Sequence, residues 1–450
     1  MCGKAKAVPH TAILRTKVNV MLSKPLKLAL FLTVALGAGC SSVRTYPETA
    51  KAAETFVVSD ADPEIKSALD YINKAPDSTL GYQQLAITYI KRARLTGDFS
   101  LNRKAETAVK KALEISPDDI NVQKLNASLQ LTFHRFDEAL ALATEMQKAN
   151  PTDAFVFGVM TDANVELGNY DAAVAAAQKM VDLRPNSASY ARVAHIRAIN
   201  GDHTGAVEMF KLAARTADPS DKEAQSWCLV QLGDELWKYG KFAESEKVYD
   251  EALTVLPDYY LAQIGKGRVR ESLNDLDSAI AFLTKTSERV PNVDAFILLG
   301  DIYTKQGNAE KAKQNYDLVE IVEAKIGVNN DQKRLALMWA NNNVRLDDAL
   351  AIATREHDLR KDINTADALA WVQYRKGNFA EAKVAITEAL RLKSNDARIQ
   401  YHAGMIEKAL GNTVIAKQLL ENALKLNPKF DLIQSELAQN ALVELKNAKR

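Results

Sequence analysis

Prolines recur in this chain at a fixed interval. Pro117, Pro151, Pro185 and Pro219 each stand 34 residues after the last, Pro257 and Pro291 repeat the spacing, and Ser394 to Pro428 keeps it with the first proline replaced. A period of this length marks a stack of like units, each burying its apolar face on its neighbours. The 450 residues therefore read as one quasi-one-dimensional array rather than as several unlike domains.

Each interval carries the three- and four-residue apolar spacing of amphipathic helices. In the unit ending at Pro257, Leu229, Leu232, Gly233 and Leu236 share a face of a first helix, and Gly240 stops it. A glycine enters the left-handed region without a Cβ penalty and so ends helices. Phe242, Ser245, Tyr249 and Ala252 mark a second helix, which Pro257 closes because proline bars helical geometry from the residue before it. Phe157, Gly168, Tyr170, Ala173, Met180 and Pro185 fit the same frame. So do Phe296, Leu299, Gly300, Tyr303, Gly307, Ala312, Tyr316 and Val319, and Ala403, Gly404, Gly411, Ala416, Leu420, Ala423 and Pro428. Small residues at fixed slots let two helices approach closely, and large ones fill the gaps that remain.

These residues resemble the tetratricopeptide repeat, whose hallmark is an apolar or aromatic residue followed by Leu-Gly, Tyr, Ala, an aromatic, Ala and Pro at set positions. The resemblance implies an all-α, right-handed superhelical solenoid of about ten helix-turn-helix units. The units are expected over 79–428, preceded by a capping helix region at 63–78 and followed by a C-terminal capping helix at 429–450. Fit varies along the array. The first unit (Tyr82, Leu85, Ala86, Tyr89, then Ala105, Ala112, Pro117) carries about seven extra residues around 94–100, and the eighth (Leu335, Trp339, Ala349, Ala353) lacks both its glycine and its proline.

The amino terminus reads as an address. Lys24 and Lys27 precede an apolar run at 28–36, far short of the ~20 residues that span a bilayer and suited instead to a signal peptide. Small residues Gly37, Ala38 and Gly39 then lead to Cys40, which resembles a bacterial lipobox, although the leucine stands at position 36, one residue early. The resemblance implies cleavage before Cys40 and a diacylglycerol on its sulfur; Ser41 after it implies export to the outer membrane. Residues 1–20 carry scattered charges and Pro9, so Met21 is the expected start, with a signal peptide at 21–39 and a polar tether at 40–62.

Composition excludes more than it suggests. A net charge of +1, with 26% charged residues of mixed sign, supplies no field to gather nucleic acid or an anionic membrane. Beyond Cys2 and Cys40 there is only Cys228, expected to be buried and inert. The six histidines (His10, His134, His195, His203, His357 and His402) form no metal-ligand spacing, and no nucleophile-elbow, phosphate-loop or dinucleotide motif occurs. Gly265-Lys266-Gly267 falls inside a repeat helix, with Gly267 in a packing slot, and 355–358 reads as a surface stretch. Neither a catalytic constellation nor a cofactor or metal site is expected.

Function then has to come from surfaces. In tetratricopeptide solenoids the first helices line a concave groove that binds extended or helical peptides. Carried over slot by slot, the groove would present Trp227, Val230, Asp234 and Trp237 in the fifth unit, Leu261, Ile264 and Arg268 in the sixth, and Ile297, Asp301 and Lys305 in the seventh. Trp371, Tyr374 and Arg375 hold these slots nearer the carboxyl end. Exposed Trp and Tyr make strong binding anchors, yet Trp227 and Trp237 fit packing against neighbouring helices equally well. Asp234 and Asp301 stand where carboxylate-binding relatives place a basic-and-asparagine clamp, which argues against capture of a free C-terminus. The expected product is a periplasm-facing outer-membrane lipoprotein that binds other envelope proteins and scaffolds a pilus, secretion or exopolysaccharide-export machine. An adaptor that recruits cell-wall hydrolases is the alternative, and an enzyme with an unrecognised site is a more distant one.

Overall fold

Asp62 caps the first described helix. Its carboxylate accepts from the Glu64 amide at 2.9 Å, and Pro63 holds the first helical position, where a missing N–H costs nothing. The computed structural model describes residues 62–326 and 332–447, so the expected leader, signal peptide and Cys40, and the tether up to 61, lie outside the described residues. Among those described there are twenty-two helices and no strand. After α1 (Pro63–Lys74) they run as pairs: α2 (Thr79–Thr96) with α3 (Leu101–Ile115), α4 (Ile120–Thr132) with α5 (Phe136–Ala149), α6 (Ala154–Glu166) with α7 (Tyr170–Leu183), α8 (Ser187–Ile199) with α9 (His203–Thr216), and α10 (Lys222–Lys238) with α11 (Phe242–Val255). The second half continues with α12 (Tyr260–Ser272) and α13 (Leu276–Arg289), α14 (Val293–Lys305) and α15 (Ala309–Ile326), α16 (Lys333–Asn341) and α17 (Leu346–Leu359), α18 (Ile363–Arg375) and α19 (Phe379–Ala389), and α20 (Ala397–Ala409) and α21 (Thr413–Leu426), before the single α22 (Gln434–Asn447). The architecture is an all-α solenoid of ten helical pairs.

One backbone device repeats inside every pair. Between first and second helix a residue turns left-handed: Gly97, Gly168, Gly201, Gly240, Gly307, Gly377 and Gly411 in seven units. In the other three His134, Asn274 and Asn343 take the same conformation at φ 56°, 62° and 54°. Asparagine is among the few side chains that tolerate this region, so the eighth unit turns on Asn343 although it lacks the glycine. Between units the device is different. Ser116, Asn150, Arg184, Leu256, Val290 and Asn427 adopt extended backbone at the helix end, each of the six directly before a proline. An Asp or Asn then caps the next helix: Asp119 accepts from the Asn121 amide at 2.9 Å, and Asp396 from that of Arg398 at 2.9 Å.

Packing follows the small-and-large slots. Tyr249, fully buried, lies against Gly233 and Gly265 on two successive first helices; a Cβ at Gly233 would come within 2.5 Å of its ring. Gly300 admits Tyr316 in the same way, and Gly267 and Gly404 admit Leu283 and Leu420, each 2.7 Å from where a Cβ would stand. Alanines of the second helices, among them Ala112, Ala252, Ala382, Ala416 and Ala423, are wholly buried.

The chain also meets itself at long range. Asn395 donates to the Gly201 carbonyl at 3.1 Å, 194 residues away, and Asn427 donates to that of Trp237 at 2.9 Å, 190 residues away. These separations equal between five and six repeats of the 34-residue period, so successive turns of the coil touch.

Candidate functional site

First helices of successive units pack on one another, α4 on α6, α10 on α12 and α16 on α18, whereas each second helix packs mainly on the first helices beside it. The first helices therefore lie on the tight, inner side of the coil, and their inward slots form the candidate interaction face.

The structure sorts the expected groove residues into three groups. Trp227 is open, at 38% exposure, and Lys305 reaches out to pair with Glu436. Asp234, Trp237, Leu261, Arg268, Ile297, Asp301, Tyr374 and Arg375 are half-buried. Val230, Ile264 and Trp371 are buried, the last at 1% exposure, which corrects the expectation that they present an accessible surface. The reason lies in the tightness of the coil: at these slots the next first helix comes close enough to cover the side chain.

Several of the half-buried residues form local polar clusters. Tyr249 donates its hydroxyl to Asp234 at 2.7 Å, and Arg268 of the next unit donates to the same carboxylate at 3.0 Å. The Arg268 guanidinium lies 5.2 Å from the centroid of the Trp237 ring, and the Trp237 N–H donates to Ser272 at 2.8 Å. Two units on, Tyr316 donates to Asp301 at 2.7 Å in the same arrangement. Leu335 stands one repeat beyond Asp301, where Arg268 stands beyond Asp234, so Asp301 gains no such cation. Burial, reinforced by the nearby Asp431 carboxylate, pushes its carboxyl up to about 8. Glu271, 4% exposed and one repeat beyond Trp237, is also pushed well above the usual range by burial and by Asp431 and Asp301, with Arg268 opposing.

Nearer the carboxyl end, Trp371 stacks on His402 at 4.1 Å between centroids and on Tyr374 at 4.9 Å, and Arg375 lies 5.7 Å over its ring. His402 bonds Asp367 at 2.8 Å, both fully buried. The Trp371 N–H donates to the Asn341 side-chain oxygen at 2.7 Å, and Gln434 at the start of α22 donates to that same oxygen at 2.8 Å. Asn341 thus ties together elements 30 and 93 residues away. Sequence reasoning missed Glu271, Asn341, Asp367, His402 and Asp431. For Glu271 the signal was there, 34 residues after Trp237, and Asp367 and His402 lie about one period apart, whereas Asn341 with Gln434 and Asp431 with Asp301 meet across longer separations.

The stretch 355–358 is not wholly superficial. Glu356 is buried at the foot of α17 and pairs with Arg355 at 3.1 Å and Arg360 at 3.6 Å, while His357 bonds Glu388 at 3.0 Å. Cys228 is buried beside Ser187 at 3.3 Å, and burial raises its thiol. Among the described residues no three His, Cys, Asp or Glu side chains are placed to hold a metal ion, and no helix is long and apolar enough to cross a membrane.

Comparison with known proteins bears on this arrangement. One model described as tetratricopeptide repeat matches residues 162–222 and 230–292, and a second with the same description matches 293–319 and 397–430. No curated protein matches the chain. Among solved structures, the APC/C hetero-tetramer Cut9-Hcn1 is 16% identical over 85% of this chain and 60% of that one, with a TM-score of 0.43; the present chain thus spans 60% of its length. PilW, described as a widely conserved type IV pilus biogenesis factor, is 17% identical over 45% of this chain and 97% of its own, with a TM-score of 0.39. A tetratricopeptide repeat protein from Parabacteroides merdae is 18% identical over 58% of this chain and 99% of its own, with a TM-score of 0.35.

Proposed function

Because this chain belongs to the tetratricopeptide repeat family, we propose that it is a protein-interaction scaffold held to the outer membrane by a lipid on Cys40, facing the periplasm and organising an envelope machine of the pilus, secretion or polysaccharide-export kind. The observation that carries the reading is the export-type stretch at 21–40, basic then apolar then small residues before a cysteine, placed directly ahead of a repeat array. A stack of interaction units tied to a membrane gathers partners at that surface and supplies no chemistry of its own. Its partners are proteins with an extended or helical segment, and its near-neutral charge favours neither nucleic acid nor an anionic bilayer.

Cys40→Ser tests the anchor. The substituted protein should lose labelled palmitate and leave the outer-membrane fraction; labelling and fractionation unchanged from wild type would remove the lipoprotein reading. Trp227→Ala tests the inner face. The open ring of Trp227 contributes little to packing, so melting should shift by less than about 1 kcal/mol equivalent. Capture of envelope proteins from detergent-solubilised membranes should fall at least tenfold if the ring anchors a partner. Undiminished capture of the same set of proteins by Trp227→Ala would place the partner surface elsewhere.

A further inference from the structure

The long-range contacts recur in step with the repeat. At Gly97, a side-chain carbon would collide with Val290 of the unit linker between α13 and α14. Two units further on, Arg360 pairs with Glu166 at 3.2 Å and the Ile363 amide donates to the Tyr170 hydroxyl at 2.9 Å, at separations of 194 and 193 residues. Arg391 covers the Tyr170 ring at 5.0 Å and donates to the Lys361 carbonyl, the group that a Cβ at Gly168 would strike. Next come Asn395 on Gly201, then Asn427 on Trp237, with Pro428 against Gly240. In each rung the left-handed turn inside one unit meets the linker between two units one coil later.

This geometry does two things. It gives Gly97 and Gly168 a second duty, since the turn already requires their backbone and the next coil then requires their lack of a side chain. It also couples units that a repeat array otherwise leaves independent, because in such arrays each unit touches only its neighbours. With adjacent coils in contact, the inner face is walled on its sides as well as behind.

We propose that these rungs form a seam that opens and closes as one cooperative unit, and that its closed state shields the inner face from partners. Each rung is a small contact (Val290 against Gly97 at the first, an ion pair and a hydrogen bond at the second, one side-chain hydrogen bond at each of the last two), whereas the unit cores bury whole helix faces. The seam is therefore the part of the coil that separates first. The inference about shielding rests on the inner face being the partner surface; cooperative opening does not.

Hydrogen–deuterium exchange on the full chain, with no partner present, tests it. Tyr170→Phe removes the acceptor of the Ile363 amide and keeps the ring under Arg391; Asn427→Ala removes a rung two positions away. Each should raise exchange at least tenfold in peptides spanning all four linkers, around 290, 361, 394 and 428, while helix amides stay protected. Deprotection confined to the linker beside each substitution would overturn the proposal, as would wild-type linkers that already exchange at the rate of open loops. The two variants sit on separate rungs, so a folding defect in one leaves the other to decide; loss of helix protection in both would make the seam a structural joint and also overturn it. A partner surface outside the coil would leave these exchange results unchanged and would appear instead as undiminished capture by Trp227→Ala.

Discussion

Trp371→Ala is expected to lower the stability of the carboxyl-terminal units by about 3–5 kcal/mol, the cost of emptying a buried aromatic site that cannot collapse. Three losses coincide there. The ring is 1% exposed and lies between His402 and Tyr374, so its removal strips both aromatic contacts. His402 and Asp367, both fully buried, then face a cavity instead of a ring. Asn341 loses one of the two donors that join α18 and α22 to α16. Urea unfolding followed by circular dichroism, together with Trp371→Phe, separates these effects: phenylalanine restores most of the volume but not the N–H, so it should recover most of the loss. A Trp371→Ala protein as stable as wild type would show that the slot is open to solvent, as sequence periodicity alone suggests.

That contrast shows where the sequence was legible. The helix pairs, their glycine turns at Gly168, Gly240 and Gly411, and the packing slot at Gly267 were all readable, because each depends on residues within one or two periods of each other. The eighth unit was harder, since Asn343 supplies the turn without advertising it as glycine does. Among the groove slots, periodicity gave the correct helix face but not the exposure. Trp227, Val230 and Trp371 were all placed on that face, yet one is open and two are covered, because cover comes from how closely the neighbouring helices pack. Winding is a sum of small rotations per unit, and the residues that report it, such as Glu166 with Arg360 or Trp237 with Asn427, lie about 190 residues apart in sequence with no shared motif. A partner-facing surface that depends on coil closure could not be read from a 34-residue pattern.

Asp301→Asn is expected to stabilise the protein increasingly as pH rises from 5 to 8, by several kcal/mol at most. In the unfolded chain this carboxyl titrates near 4, and in the folded coil burial and Asp431 move it up to about 8. Between those values the unfolded state has released its proton and the folded state keeps it, so stability falls with rising pH across the window and levels off above it. Asparagine carries no charge to bury and still accepts from the Tyr316 hydroxyl through its side-chain oxygen. A shift of this size corresponds to roughly 5 kcal/mol at full burial, and the half-open position of Asp301 brings the expected effect to about 2–4 kcal/mol after solvent screening. Glu271 works in the same sense, since burial first, then Asp431 and Asp301, hold its carboxyl above the usual range and its folded state likewise loses stability as pH rises. The equivalent slot provides the control. Asp234 receives both Tyr249 and Arg268, so Asp234→Asn leaves a half-buried guanidinium without its carboxylate and should destabilise instead. Urea midpoints for the three proteins between pH 5 and 9 decide the matter: parallel curves for wild type and Asp301→Asn would mean that Asp301 is ionised throughout, and that the inner face carries a fixed negative charge rather than a titrating one.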